Sequence, residues 1–237
     1  MEFSKNRTSS ALVLLLLPLA AAYFASYFFR TINALISTEL SRDLHLESQH
    51  LGLLTSVYFL TFAFVQIPAG FFLDRFGPRR VQTVLLLIAA VGAFLFATAK
   101  NFELLVLGRA LIGLGVAASL IAGLKAIALW FPRERLALFN GCFITIGTFG
   151  VVAATAPSEL LLHFVEWRTL FAFMGVLCLL CAGLIFKLVP ETSTASAARE
   201  AKPNQIRSIC TDPRFWRLAP LSTMCISTAW ALQGLWA

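Results

Sequence analysis

Seven times along its 237 residues the chain strings together about twenty largely apolar residues, at roughly 11–37, 50–73, 81–99, 103–130, 136–162, 167–189 and 216–237. A run of that length matches the hydrocarbon thickness of a bilayer when coiled as a helix. In lipid every backbone N–H and C=O must be satisfied within the protein, so only helices and closed barrels can span. These runs are unbroken and lack the alternation of barrel strands, so an all-α membrane protein is expected. Composition agrees: 59% hydrophobic and 13% charged residues, against roughly 45–50% and about 25% in soluble chains.

Other classes are disfavoured by the same text. Five cysteines in a chain of this length form no disulfide framework. Cys178 and Cys181 make a CxxC inside FAFMGVLCLLCAGLIF with no nearby histidine, which reads as packing rather than zinc or redox chemistry. The net charge of +7 is scattered between apolar blocks and forms no stripe for nucleic acid. Lys5 and Arg7 before LVLLLLPLAAA imitate a secretory signal, but the apolar run continues to about Ile36, longer than a signal core, and is read as a retained span.

Lys and Arg in the connections set the orientation. Alternate connections hold Lys5 and Arg7, then Arg75, Arg79 and Arg80, then Arg133 and Arg135, then Arg199, Lys202, Arg207 and Arg214; the other set holds only Arg42, Lys100 and Arg168. The N-terminus is therefore predicted to be cytoplasmic, in a multi-pass protein of the inner membrane. The polar stretch from Pro190 to Arg214 reads as a solvated linker. The expected organisation is a six-helix domain at 1–189, a linker at 190–215 and a seventh helix at 216–237. Helices 1 and 4 each carry an Arg within the span whereas the interiors of helices 3 and 6 are wholly apolar, a hint of an inverted 3+3 repeat.

GFFLDRFGPRR, from Gly70 to Arg80, concentrates charge between the second and third runs. Gly70 and Gly77 are expected to permit close approach and a tight turn, and Pro78 to preset the start of the next helix. Asp74 stands at the unfavourable negative end of its own helix and requires an external partner. Gly70, Asp74, Arg75, Gly77, Arg79 and Arg80 fit G-x-x-x-D-[RK]-x-G-x-[RK]-[RK]. In this topological place the pattern resembles the signature of the major facilitator superfamily. Arg109, Gly113 and Gly115 fit the R-x-x-x-G-x-G often found in that family's fourth helix, and WFPRER and EWR are also familiar there. The resemblance implies a six-helix bundle of inverted repeats and a conformational latch in which Asp74 faces a helix of a second half. Pro78 stands where the family frequently has a basic residue. The family has about twelve helices, so the chain reads as a truncated transporter or as one completed by a separate C-terminal half.

Two charges lie inside the oil. An Arg at a helix centre costs about 2.5–3.5 kcal/mol, which a dozen Leu or Phe at about −0.3 to −0.6 kcal/mol each can carry in. Arg30 lies about 9 Å before the outer end of helix 1 and Arg109 about 9 Å after the outer start of helix 4, so the two agree in depth. Asn33 is one near-turn from Arg30. The run from Tyr23 to Asn33 resembles the first helix of the superfamily's anion:cation symporter branch, which implies that Arg30 binds a substrate carboxylate or other anion; snorkelling to the membrane surface is the plainer reading. Arg109, Tyr58, Gln66 and Lys125 are further candidates for the same cavity, against helix contacts for the first three and headgroup contact for Lys125. Gly115, Ser119 and Gly123 form a strip of small residues for packing.

Proton coupling needs a membrane carboxylate, and Glu159 is the candidate. His45, His50 and His163 fall in or beside outer connections. The leading expectation is secondary transport of a small organic or inorganic anion by alternating access with protons or another coupling ion. Efflux of drugs or metabolites is the second, and an inactive fragment or assembly partner the third. No nucleophile, metal set or phosphate loop is present, so neither an enzyme nor a cofactor is expected.

Overall fold

A computed structural model describes the backbone of residues 2–190, with side chains from residue 15, and residues 216, 219, 220, 224, 227 and 228. The chain divides into two compact units, Met1–Thr192 and Ser193–Ala237. The expected linker and most of the expected seventh span lie outside the described residues.

Among the described residues of the first unit the structure is helical, without strands. The elements are α1 (Glu2–Leu35), α2 (Ser37–Leu44), α3 (Ser48–Thr98), α4 (Phe102–Val116), α5 (Ser119–Trp130), a 3-10 turn at Arg133–Arg135, α6 (Leu136–Ala153), α7 (Ala156–Leu162) and α8 (Trp167–Leu188). The segments Leu15–Leu35, Ser48–Thr98, Phe102–Trp130, Arg133–Ala153 and Trp167–Leu188 are long and apolar enough to cross a membrane. The 51 residues of α3 supply two crossings.

Those two crossings turn about a single residue. The sequence predicts a loop over 70–80, but helix continues through it except at Gly77, where φ is 78° and ψ 165°. Only glycine adopts that conformation without a Cβ clash. Contacts along α4 and α5 prove the reversal. Tyr58 packs beside Gly113, Gln66 bonds Ala117 and Asp74 bonds Lys125, so the 48–76 arm runs parallel to α4 and α5. The 78–98 arm runs the opposite way, with Phe96 against Gly108 and Ala89 against Gly115. Gly70 needs no close approach here, because a Cβ there would meet nothing within 4 Å.

The 78–98 arm and α4 touch almost backbone to backbone. A Cβ on Gly92 would lie 2.8 Å from the Gly108 carbonyl oxygen, and one on Gly108 would lie 2.8 Å from the Phe96 nitrogen. Small residues permit such an approach, which dispersion stabilises in lipid. The expected strip divides its contacts: Gly115 faces Ala89, Ser119 accepts a hydrogen bond from Gln82 Nε2 at 2.9 Å, and Gly123 faces the Phe143 ring of α6. Beside the reversal, Ala69, Leu73, Val81, Ala118 and Ala122 form a buried apolar cluster. At the other end of the bundle Phe96 stacks on Phe171 at 4.3 Å and Phe171 meets Phe29 at 5.8 Å, joining α3, α8 and α1.

Two expected spans are interrupted. The run 103–130 breaks at 117–118, between α4 and α5. Gln66 Nε2 on α3 donates to the Ala117 carbonyl at 3.2 Å, satisfying a group that the break frees. The run 136–162 ends its first helix at Ala153 and resumes as α7, which has proline in its first turn. Pro157 has no N–H to offer and crowds the carbonyl of residue 153, which favours a break at this point of the run.

Candidate functional site

Tyr23, Tyr27 and Arg30 fall at i, i+4 and i+7 of α1 and therefore on one face. The Tyr23 hydroxyl donates to the Tyr27 oxygen at 3.3 Å, and the rings meet edge to face at 5.0 Å. The Arg30 guanidinium lies 4.9 Å from the Tyr27 ring centre and 5.0 Å from that of Phe62 on α3. Phe62 stacks on Tyr58, one turn earlier, at 6.1 Å. Arg109 of α4 places its guanidinium 4.6 Å from the Tyr58 ring. Two cations thus lie on adjoining rings of one aromatic ladder, which brings together the sequence candidates Arg30, Tyr58 and Arg109. The Tyr58 hydroxyl donates to the Ser26 carbonyl at 3.3 Å and fixes the ladder to α1.

Arg109 is the outstanding group. It is 1% exposed, the largest fully buried side chain described, and its Nε and Nη1 have no hydrogen-bond partner among the described residues. A desolvated cation–π contact contributes about 2 kcal/mol. The effective penalty for withdrawing an ion from water is several kcal/mol. The ring therefore offsets only part of the cost, and the guanidinium retains the capacity to hold an anion by directed N–H bonds. Phe62 and Tyr27 were not singled out from sequence. Their signal was present as aromatic residues four after Tyr58 and three before Arg30.

The remaining candidates divide. Asn33 is buried and donates through Nδ2 to Thr55 Oγ1 at 3.1 Å, while its Oδ1 is buried with no partner among the described residues. Gln66 serves the helix break. Lys125, expected in the cavity or at headgroups, is engaged elsewhere: its Nζ donates to Asp74 Oδ1 at 2.6 Å and to the Leu73 carbonyl at 2.7 Å. The ammonium answers both the carboxylate and the negative end of the 48–76 arm. Asp74 accordingly finds a partner within its own unit, where the resemblance implied one in a second half. Arg79 lies 4.7 Å from the Phe186 ring, Arg75 lies 5.4 Å from Phe76, and Arg80 is exposed. Glu159 stands exposed on α7, beyond the end of the apolar segment Arg133–Ala153, and is not brought to the ladder.

The end opposite the Arg-rich reversal carries a second polar cluster. Asp43 Oδ2 accepts from Trp167 Nε1 and from Arg168 Nη1, each at 2.9 Å, and Arg168 Nη2 donates to the Ala99 carbonyl at 3.1 Å. This ties α2 to the start of α8 and the end of α3. The Trp167 indole foremost, aided by Arg168, holds the Asp43 carboxyl below the usual carboxylate range against the upward push of burial. A cleft of about 510 Å³ lies beside it, lined by Glu39, Arg42, His163 and Glu166 among others.

Stacked apolar crossings and a one-residue reversal in a charged motif define a multi-pass membrane protein, with a cation buried between its helices. The sequence profile of the Major Facilitator Superfamily matches residues 19–237, and the chain belongs to that family. It is 28% identical to the nitrate/nitrite transporter NrtP of Picosynechococcus sp. (strain ATCC 27264 / PCC 7002 / PR-6), an alignment covering 90% of this chain and 46% of NrtP. It is 31% identical to the uncharacterized transporter YybO of Bacillus subtilis (strain 168), over 72% of this chain and 38% of YybO. Identity with the probable galactarate/D-glucarate transporter GarP of Escherichia coli (strain K12) is 26%, over 85% of this chain and 47% of GarP. The chain thus spans about half or less of the length of these relatives.

Proposed function

We propose that this protein carries a small anion across a membrane by alternating access, with Arg109 and Arg30 as its anion-binding groups. The observation that carries this reading is the burial of Arg109 with two of its nitrogens lacking hydrogen-bond partners among the described residues. A guanidinium offers planar, forked donors suited to carboxylate and similar oxyanions. Tyr58, Phe62 and Tyr27 hold the two cations at fixed separation and keep lipid from them, and Asn33 offers an amide oxygen nearby in sequence for a substrate hydroxyl. Relatives named for nitrate and nitrite and for galactarate and D-glucarate support an oxyanion as cargo.

In this reading the Arg-rich reversal faces the cytoplasm of the cell, as the distribution of Lys and Arg predicts. Asp74 and Lys125 restrain the cytoplasmic reversal within α3 against the end of α5, and a C-terminal half closes the site from the other side. The domain division at 189 and 215 belongs to the same proposal.

The test is counterflow of labelled nitrate and labelled D-glucarate in vesicles containing the purified chain. Arg109→Gln and Arg30→Gln should each lower uptake of the transported anion at least about tenfold, the loss of a charge-assisted hydrogen bond of about 1.5–3 kcal/mol. Uptake equal to that of the unaltered protein in both variants would reject the site.

A further inference from the structure

Between the two arms that meet at Gly77 lies a groove of about 490 Å³. Phe64, Pro68, Phe72 and Phe76 recur every fourth residue along its first wall, and Arg80 and Val84 keep the same spacing on the second. From Phe64 to Phe76 the wall rises about 18 Å, close to the roughly 15 Å of hydrocarbon in one bilayer leaflet. The rings of Phe64, Phe72 and Phe76 are exposed along it. Among the described residues that line the groove Arg80 alone is polar, and it stands at the reversal end. Arg75 joins it there, with its guanidinium 5.4 Å from the centre of the Phe76 ring, which stacks on Phe72 at 6.1 Å. Asp74, the carboxylate of the same reversal, is bonded to Lys125. The groove is therefore basic at one end and apolar along the rest, the grading of a phospholipid molecule.

We infer that this groove holds one anionic phospholipid of the leaflet that the reversal faces, with an acyl chain along the phenylalanines and the phosphate at Arg75 and Arg80. The inference needs only the membrane reading and is independent of the anion cargo proposed above. Guanidinium forks match phosphate oxygens, and basic pockets between membrane helices at a leaflet surface select anionic headgroups. A partner helix suits the groove less well. Helices in lipid approach one another on small residues, as the 78–98 arm and α4 do at Gly92 and Gly108, whereas the exposed rim here is a row of phenylalanines. A flexible chain can settle between such rings where a rigid helix would rest on top of them.

The full chain carrying Phe72→Trp is reconstituted in phosphatidylcholine bilayers that contain a fixed fraction of dibrominated phosphatidylglycerol or dibrominated phosphatidylcholine, bromine being a short-range quencher of indole emission. The emission of the unaltered chain is subtracted. Quenching of the added emission should show phosphatidylglycerol preferred at least about fivefold, the effect of one arginine at an anionic surface. Arg75→Gln combined with Arg80→Gln should bring that ratio close to one, while quenching by phosphatidylcholine persists and shows that the protein still spans the bilayer. Leu180→Trp, at an exposed site on α8 outside the groove, should show no preference. The same preference at both positions, no preference at either, or a preference that survives loss of both arginines would overturn the site. Quenching by both lipids at Leu180→Trp and by neither at Phe72→Trp would overturn it as well, since protein would then cover the groove.

Discussion

Arg109 lies 4.6 Å above the ring of Tyr58, and the hydroxyl of that same ring is bonded to the Ser26 carbonyl of α1. One tyrosine thereby joins three helices, through its face to α4 and through its oxygen to α1. The two roles are separable. Tyr58→Phe keeps the face and gives up one long hydrogen bond, for a loss of about 0.5–1 kcal/mol. Tyr58→Leu also gives up the cation–π contact, about 2 kcal/mol more for a desolvated pair. Denaturant unfolding in detergent micelles should rank them in that order; equal losses would show that the ring face does not support Arg109.

The near contact of Gly92 with Gly108 predicts a steep size dependence. Gly108→Ala places a methyl 2.8 Å from the Phe96 backbone nitrogen, which no rotamer change relieves. The expected destabilisation is about 1–3 kcal/mol. Gly141→Ala, where a Cβ meets nothing within 4 Å, should stay within about 0.5 kcal/mol of the parent. Thermal unfolding of the two purified variants makes the comparison.

Asp43 predicts an acid limb of the stability curve. Its folded pKa is depressed below the ordinary 3.8, foremost by the Trp167 indole and then by Arg168, so its contribution is full above the ordinary carboxylate range and is lost as pH falls through the depressed value. The Asp43 and Arg168 side chains are 41% and 31% exposed, and solvent screening limits the pair to about 0.2–1 kcal/mol. Asp43→Asn should cost that much at pH 7 and approach nothing at the acid end. A gap between the two proteins that stays constant down to pH 2 would contradict this assignment.

Lys125 and Asp74 form an ion pair whose acid is 72% exposed, so a double-mutant cycle should give a coupling of no more than about 1 kcal/mol, smaller still in 1 M salt. Lys125→Met should nevertheless cost more than Asp74→Asn. The lysine also serves the Leu73 carbonyl, and the aspartate substitution leaves that bond intact. The reverse order would mean that the carbonyl contact contributes little.

The amino-acid sequence by itself determined the class of structure. Hydrocarbon admits only backbones that satisfy themselves, so twenty apolar residues in a row commit a segment to helix whatever its neighbours do. It also determined the reversal, since Gly77 can take a φ of 78° and a side chain there would resist. Arg30 and Arg109 were legible for the same reason, as charges where charge is expensive. Tertiary structure alone decided the partners. That Asp74 meets Lys125, that Gln66 reaches Ala117 and that Arg109 settles on Tyr58 are relationships across 51 residues of sequence in each case. Helical periodicity shows which face a side chain takes but not what the opposite helix brings to it. The division of the fifth run at Pro157, which moves Glu159 onto a short exposed helix, lay between these extremes. The proline was visible, but an apolar run can carry a kinked helix through a proline or end at it, and packing of the surrounding helices settles which.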